Sequence, residues 1–311
     1  SLSIMRRISI YIILATLLFC ACGETEEAKR MRTKTEQEKL RAEYESAFKI
    51  GVMPTLDCLP VFLLKDSLFY DSTKVDIRLK MFNAQMDCDT ALIGGSVQGS
   101  VTDIVRAERL ITKGTSVSPE IATSAYWQLI ANKKSRLKDL SQLSDKMVAM
   151  TRYSATNMLT DLVVKRGKTR YPLYQVQINN LFIRLEMLKN NEIDAVWLTE
   201  PQATQARCLG NNVLMDTQKE LMQLGVFAFR DKDISQPKRA KELEAFKRAY
   251  DNACDSINKY GIKHYSPLIE KYMSVDKETI KKLPNIKFEH SARPKFADVD
   301  TARKWLRNSK K

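Results

Sequence analysis

The sequence predicts an α/β protein built from two α/β units and a helical C-terminal tail, and three observations carry that expectation. Short β-rich runs alternate with stretches of helical spacing from residue 48 onward, the rhythm breaks and restarts near residue 125, and almost everything after residue 230 has helical spacing. The 311 residues are 44% hydrophobic and 28% charged, enough apolar material for a sizeable core. Ten glycines and nine prolines exclude a low-complexity or collagen-like chain, and two histidines, His264 and His290, leave little for a multi-histidine metal site.

The N-terminal segment reads as an address. Arg6 and Arg7 precede an apolar run from Ile8 to Phe19. That is a secretory core region, too short for a stable bilayer span, which takes about 20 residues. Leu18-Phe19-Cys20-Ala21-Cys22-Gly23 resembles a bacterial lipobox with Ala21 before the acylated Cys22, although Phe19 stands where the pattern prefers Leu. Residues 1–21 are therefore expected to be a signal peptide. Residues 22–47 are polar and nearly neutral, and are expected to form a partly helical tether. Export permits disulfides, but Cys58, Cys88, Cys208 and Cys254 contain no Cys-x-x-Cys pair, and isolated, half-buried thiols are expected.

In the body, residues 48–53 form a β run stopped by Pro54, and residues 56–69 follow at helical spacing. Residues 75–82 alternate apolar and polar side chains as a strand does. A short helix at 87–94, a buried strand at 100–102 and a helix at 103–110 complete the first unit. The second opens with a strand-like run at 125–130 and a buried strand at 147–150. Ser154, Thr156 and Asn157 offer capping groups for a helix to residue 164. Strand 174–178, helix 181–188, strand 193–198 and a helix opening at Glu200-Pro201 follow, with the proline in the first helical turn. Residues 225–229 are one more strand, and helices are expected at 238–260, 265–273, 277–282 and 301–308.

Four stretches in order resemble the solute-binding proteins of ABC importers for nitrate, sulfonates and thiamine-pyrimidine precursors. They are the run from Lys49 to Asp66, the turn from Gly95 to Asp103, the segment from Leu137 to Thr156, and the stretch from Leu188 to the Glu200-Pro201 pair. Gln98 stands where that family usually has an acidic residue. The resemblance implies a two-lobed, type II periplasmic-binding-protein-like fold, each lobe a mostly parallel sheet flanked by helices. Residues 48–130 and 225–311 would form lobe 1 and residues 131–224 lobe 2. It implies capture of a small polar or anionic organic molecule between the lobes and delivery to an ABC permease. The chain would work as a monomer on the periplasmic side of a bacterial membrane, held by the lipid on Cys22.

Ligands of open parallel sheets sit beyond the carboxyl ends of the strands. The candidate binding residues are accordingly Pro54, Thr55, Leu56 and Asp57 after the first strand, and Gln98 and Gly99 at the glycine turn. Ser154, Ala155 and Thr156 at a helix start, with Asn180, Trp197 and Glu200 from the second unit, complete the set. Each has a plainer role as well: a hydroxyl or carboxylate caps its helix, and Trp197 fills a core.

No cofactor and no metal is expected. An enzyme on the same fold is the alternative, but neither histidine falls in the candidate loops and Cys58 stands alone in its segment. The formal charge of +14 invites nucleic acid as a partner, yet residues 226–311 alone carry 21 basic and 12 acidic side chains. With the excess in the tail, no nucleic-acid motif and no Gly-x-x-x-x-Gly-Lys-Ser/Thr phosphate loop, nucleic-acid binding and nucleotide hydrolysis are excluded as readings.

Overall fold

The computed structural model describes residues 26–309. The expected signal peptide and Cys22 lie outside the described residues. Contacts divide the chain into residues 1–47 and 48–311. The first unit contributes one helix, α1 (Glu26–Ser46), whose side chains from residue 29 onward are all exposed. It is polar all round and braced by local pairs such as Arg41 with Glu45 at 2.9 Å. No described helix is long and apolar enough to cross a membrane.

The second unit contains two five-stranded sheets. The first has the order β2-β1-β3-β10-β4, from β1 (Phe48–Val52), β2 (Ile77–Met81), β3 (Gly99–Asp103), β4 (Val117–Ala122) and β10 (Gly225–Arg230). The second has the order β7-β6-β8-β5-β9, from β5 (Gln128–Ala131), β6 (Met147–Met150), β7 (Tyr174–Gln177), β8 (Ala195–Leu198) and β9 (Asn212–Asp216). In each, the first three strands are mutually parallel and a reversed strand separates the third from the last: β10 runs against β3 and β4, and β5 against β8 and β9. Each reversed strand is the one entered on crossing from the other sheet. Both sheets are thus mixed: four of the five strands in each run the same way, but two of the four pairings are antiparallel.

Burial explains which elements the sequence announces. Central strands β1, β3 and β8 are buried along their whole length, as strands covered on both faces are. The edge strands β4 and β9 carry no such signal and escape the sequence reading. Pro119 interrupts β4, which its place at the sheet edge allows, and β9 is mostly half-buried. The run expected at 125–130 begins only at Gln128 and belongs to the second sheet, where it finds a neighbour on each side and Leu129 stands opposite Trp197. The passage between sheets therefore falls at residues 123–127, earlier than the expected lobe boundary after residue 130.

The helices pack on these sheets as α2 (Leu59–Asp66), α3 (Gln85–Ile93), α4 (Ile104–Thr112), α5 (Ala155–Gly167), α6 (Leu181–Lys189), α7 (Gln202–Cys208), the short α8 (Asp231–Ile234) and α9 (Pro237–Tyr260). Pro201 precedes α7 as its N-cap instead of occupying its first turn. In the tail, α9 lies against α2, with Phe246 edge-on to Phe229 at 5.9 Å and Phe48 stacked on Phe229 at 6.1 Å. After α10 (Ser266–Met273) and α11 (Lys277–Lys281), the last helix, α12 (Phe296–Asn308), packs on α4 and also reaches α5. There Arg303 meets Glu108 at 2.7 Å and Trp305 Nε1 donates to Asp161 at 2.8 Å.

Cys58, Cys88 and Cys254 are buried free thiols and Cys208 is an exposed one. Burial pushes the first three thiols up, away from the reactive thiolate form.

Gly99 is a packing position. A Cβ there would lie 2.3 Å from Cε1 of Phe229, which is wholly buried. Gly99→Ala is expected to destabilise the fold by about 1–3 kcal/mol, the usual cost of overpacking, read as a lower urea midpoint at unchanged slope.

Candidate functional site

The loops after β1 and β8 meet face to face. Beyond β1 the chain turns through Met53, Pro54 and Thr55 into a 3-10 turn, Leu56–Cys58, that leads into α2. Beyond β8 it turns through Thr199, Glu200 and Pro201 into α7. Leu56 N–H donates to the Glu200 carbonyl at 2.7 Å, and Gln202 Nε2 donates to the Pro54 carbonyl at 2.8 Å. A third contact joins the sheets where Leu181 N–H donates to the Asn83 carbonyl at 3.1 Å, next to a bridge between Ala84 and Asn180.

These contacts flank a partly open cavity of about 50 Å³. Met53, Thr55, Asp57, Val101, Thr102 and Ala125 line it beside Trp127, and Thr151, Leu181, Arg184, Trp197 and Gln202 line it from the second sheet's elements. Of the residues expected from sequence, Thr55, Asp57 and Trp197 reach this wall. Trp197 is also wholly buried in the core, its Nε1 donating to Thr160 Oγ1 at 2.9 Å.

The other expected residues have visible duties around the cavity. Ser154 caps α5, accepting from Thr156 N–H at 3.1 Å and donating to the Thr151 carbonyl at 2.7 Å, while Thr156 Oγ1 accepts from Thr151 N–H at 2.9 Å. Ala155 opens that helix and is buried. Asn180 caps α6 through Phe182 N–H at 2.9 Å. Gln98 Oε1 accepts from Lys49 N–H at 2.8 Å, spanning β1 and the start of β3. Glu200 accepts from Thr204 Oγ1 at 2.6 Å and pairs with Arg207 at 2.9 Å, fixing the start of α7.

Arg184 is the residue the sequence reading missed. It projects from α6 into the interior at 6% exposure and makes three hydrogen bonds. Nε donates to the Ile178 carbonyl at 2.6 Å, Nη1 to the Trp197 carbonyl at 3.1 Å and Nη2 to Thr151 Oγ1 at 2.6 Å. None of these partners is charged. Of the five guanidinium N–H groups, one on Nη1 and one on Nη2 have no acceptor among the described residues. Burial alone lowers this arginine to about 10, and no carboxylate offsets it.

Asp57 faces the same cavity from the other sheet, also almost fully buried. Thr123 Oγ1 donates to its Oδ2 at 3.0 Å, and Thr55 supplies a second hydroxyl. Burial nevertheless drives its carboxyl upward, against those hydroxyls, with no cation at hand.

No protein-family model and no curated protein matches the chain. Solved structures do. The chain is similar to the ligand-binding component of an ABC-type import system from Staphylococcus aureus at TM-score 0.72 and 17% identity, over 85% of this chain and 92% of that one. It is similar to the alkanesulfonate-binding protein of Xanthomonas axonopodis pv. citri at TM-score 0.70 and 14% identity, over 85% and 92%. The nitrate-binding protein of Synechocystis PCC 6803 follows the same fold at TM-score 0.64 and 16% identity, over 80% and 74%. The chain has the periplasmic-binding-protein fold.

Within this binding-protein fold a second buried charge cluster joins the elements near the chain crossings. Arg106 pairs with Asp89 and donates to the Arg152 carbonyl at 3.3 Å, while Arg109 lies 3.8 Å over the Tyr153 ring. Asp103 caps α4 by accepting from Arg106 N–H at 2.9 Å, but its Oδ2 is buried without a partner. Burial raises Asp103 to about 6, and Arg106 and nearby backbone N–H groups pull it back only in part. The folded chain therefore holds this proton more tightly than the unfolded one. Its stabilising contribution is complete below the unfolded value of 3.8 and is lost as pH rises through about 6. Asp103→Asn removes the term. Between about pH 4 and pH 7.5 the wild type is expected to lose about 2 kcal/mol relative to this variant, measured by urea unfolding at each pH.

Proposed function

We propose that the chain is the solute-binding component of an ABC-type importer, one that captures a small anion between its two sheets and hands it to a membrane permease. The observation that carries this reading is Arg184, a buried guanidinium with two unused N–H groups on the wall of the cavity and no carboxylate among its described partners. An uncompensated buried charge is costly. A bound anion supplies the missing charge and accepts from both free donors, the fork geometry for which guanidinium suits carboxylate, sulfonate or nitrate.

The matched structures include an import-system component, sulfonate-binding proteins and a nitrate-binding protein, which supports transport over catalysis. In this reading Cys22 carries the lipid that holds a monomeric receptor on the periplasmic side of a bacterial membrane, and α1 belongs to the tether. Trp127 and Trp197 give the solute a flat apolar wall, Thr55 and Thr151 offer hydroxyls, and the contacts from Leu56 to Glu200 and from Gln202 to Pro54 flank it.

The test is a thermal-shift screen of small anions on the purified chain, with calorimetry on those that stabilise it. A solute at 100 times its Kd adds about 2.7 kcal/mol of stability. Arg184→Met is expected to weaken binding by about 100-fold or more, the cost of removing a charged, desolvated partner. Undiminished affinity in a folded Arg184→Met protein sinks the proposal.

A further inference from the structure

We infer that the solute is dipolar, a short zwitterion whose anionic end sits on Arg184 and whose ammonium end sits on Asp57. This rests on the receptor reading above and goes further by naming the second group the solute must carry.

Asp57 and Arg184 are the two charged side chains on the cavity wall, and they come from opposite sheets. Each is more than nine-tenths buried, at 5% and 6% exposure. Among the described residues neither has a counter-ion: the bonds of Asp57 come from two hydroxyls and a backbone N–H, and those of Arg184 go to two carbonyls and a hydroxyl. Burial opposes both charges, raising the acid and lowering the base. The cavity thus holds a positive and a negative group that do not neutralise each other directly.

A simple anion satisfies one half of this arrangement. It pairs with Arg184 but shares the cavity with a carboxyl that must then take up a proton or repel it. A simple amine has the converse difficulty. A zwitterion pairs with both groups at once, and the filled cavity stays electrically neutral without proton exchange. The cavity's size limits the spacer to a few carbons, and Met53, Val101, Trp127, Leu181 and Trp197 give those carbons an apolar lining. If Asp57 instead stays protonated and donates to a solute oxygen, a plain acid binds as well as its amino counterpart and binds more tightly as pH falls.

Calorimetric titration of the purified chain with matched series separates these cases. Glycine, β-alanine and 4-aminobutyrate are compared with acetate, propionate and butyrate and with the corresponding alkylamines, near neutral and mildly acidic pH. At least one amino acid is expected to bind tenfold or more tightly than its matched acid and its matched amine. Asp57→Asn should erase the advantage over the acid, while Arg184→Met erases that over the amine. If every acid equals or exceeds its amino counterpart on the wild type, the dipolar inference is overturned and the anion receptor stands. If no member of any series binds a chain that melts cooperatively, the dipolar inference fails, and the anion receptor fails with it only if sulfonates and nitrate also leave the chain unstabilised in the screen above. Should Asp57→Asn not fold, the comparison on the wild type still decides.

Discussion

The two passages of the chain between the sheets are bonded to each other, and the site depends on that pairing. Trp127 N–H donates to Thr217 Oγ1 at 2.9 Å, Thr217 N–H returns to the Trp127 carbonyl at 3.0 Å, and Thr123 N–H donates to the Gly225 carbonyl at 2.9 Å. The pairing reaches the cavity directly. A Cβ on Gly225 would lie 2.3 Å from Thr123 Oγ1, so the bare glycine leaves that hydroxyl where it donates to Asp57. Trp127, fixed by the same bonds, turns its side chain onto the cavity wall. One set of contacts therefore links the sheets and sets the acid and aromatic side of the site.

How much of this was legible follows from burial. β6 and β8 stand out because central strands covered on both faces are written as unbroken apolar runs, and β1 nearly so, with Lys49 its one polar residue. β4 and β9 do not, since an edge strand needs neither an apolar run nor freedom from proline. Both reversed strands were visible as strands, and the resemblance grouped 225–229 with the first unit, where β10 lies, but the sheet of β5 was not visible: Gln128–Ala131 could extend either unit by pattern, and only pairing with β8 and β9 assigns it.

The site was legible as loops and much less as side chains. Ser154, Asn180 and Glu200 are polar groups at helix starts, and the residue types that bind a ligand there are the types that cap a helix. Sequence cannot separate the two uses. Arg184 did leave a signal: Leu181, Leu185 and Leu188 are the buried stripe of α6, and Arg184 occupies the same stripe, three residues after the first and one before the second. A cation on the apolar face of a short helix has to find an acceptor in the interior. The net charge pointed elsewhere, because the tail's cations lie largely on the surface in pairs such as Lys271 with Asp66, Arg303 with Glu108 and Lys304 with Asp300.

The way Arg184 is held also bears on how a fold shared at 14–17% identity can serve different solutes. Two of its three bonds go to backbone carbonyls, those of Ile178 and Trp197, which stay in place whatever side chains occupy those positions. Only the Thr151 hydroxyl is sequence-specific. An arginine at this position therefore needs almost no partner chosen to match it: the Trp197 carbonyl is placed by the pairing of β8 with β5 and β6, and Ile178 by its N–H bond to the Met150 carbonyl at the end of β6. The sheets set where a charge can be placed, and a single side chain on α6 sets whether one is there. Fold and buried charge are then nearly independent quantities, which is why the architecture could be read from patterns of burial while the cation and the acid on the cavity wall could not.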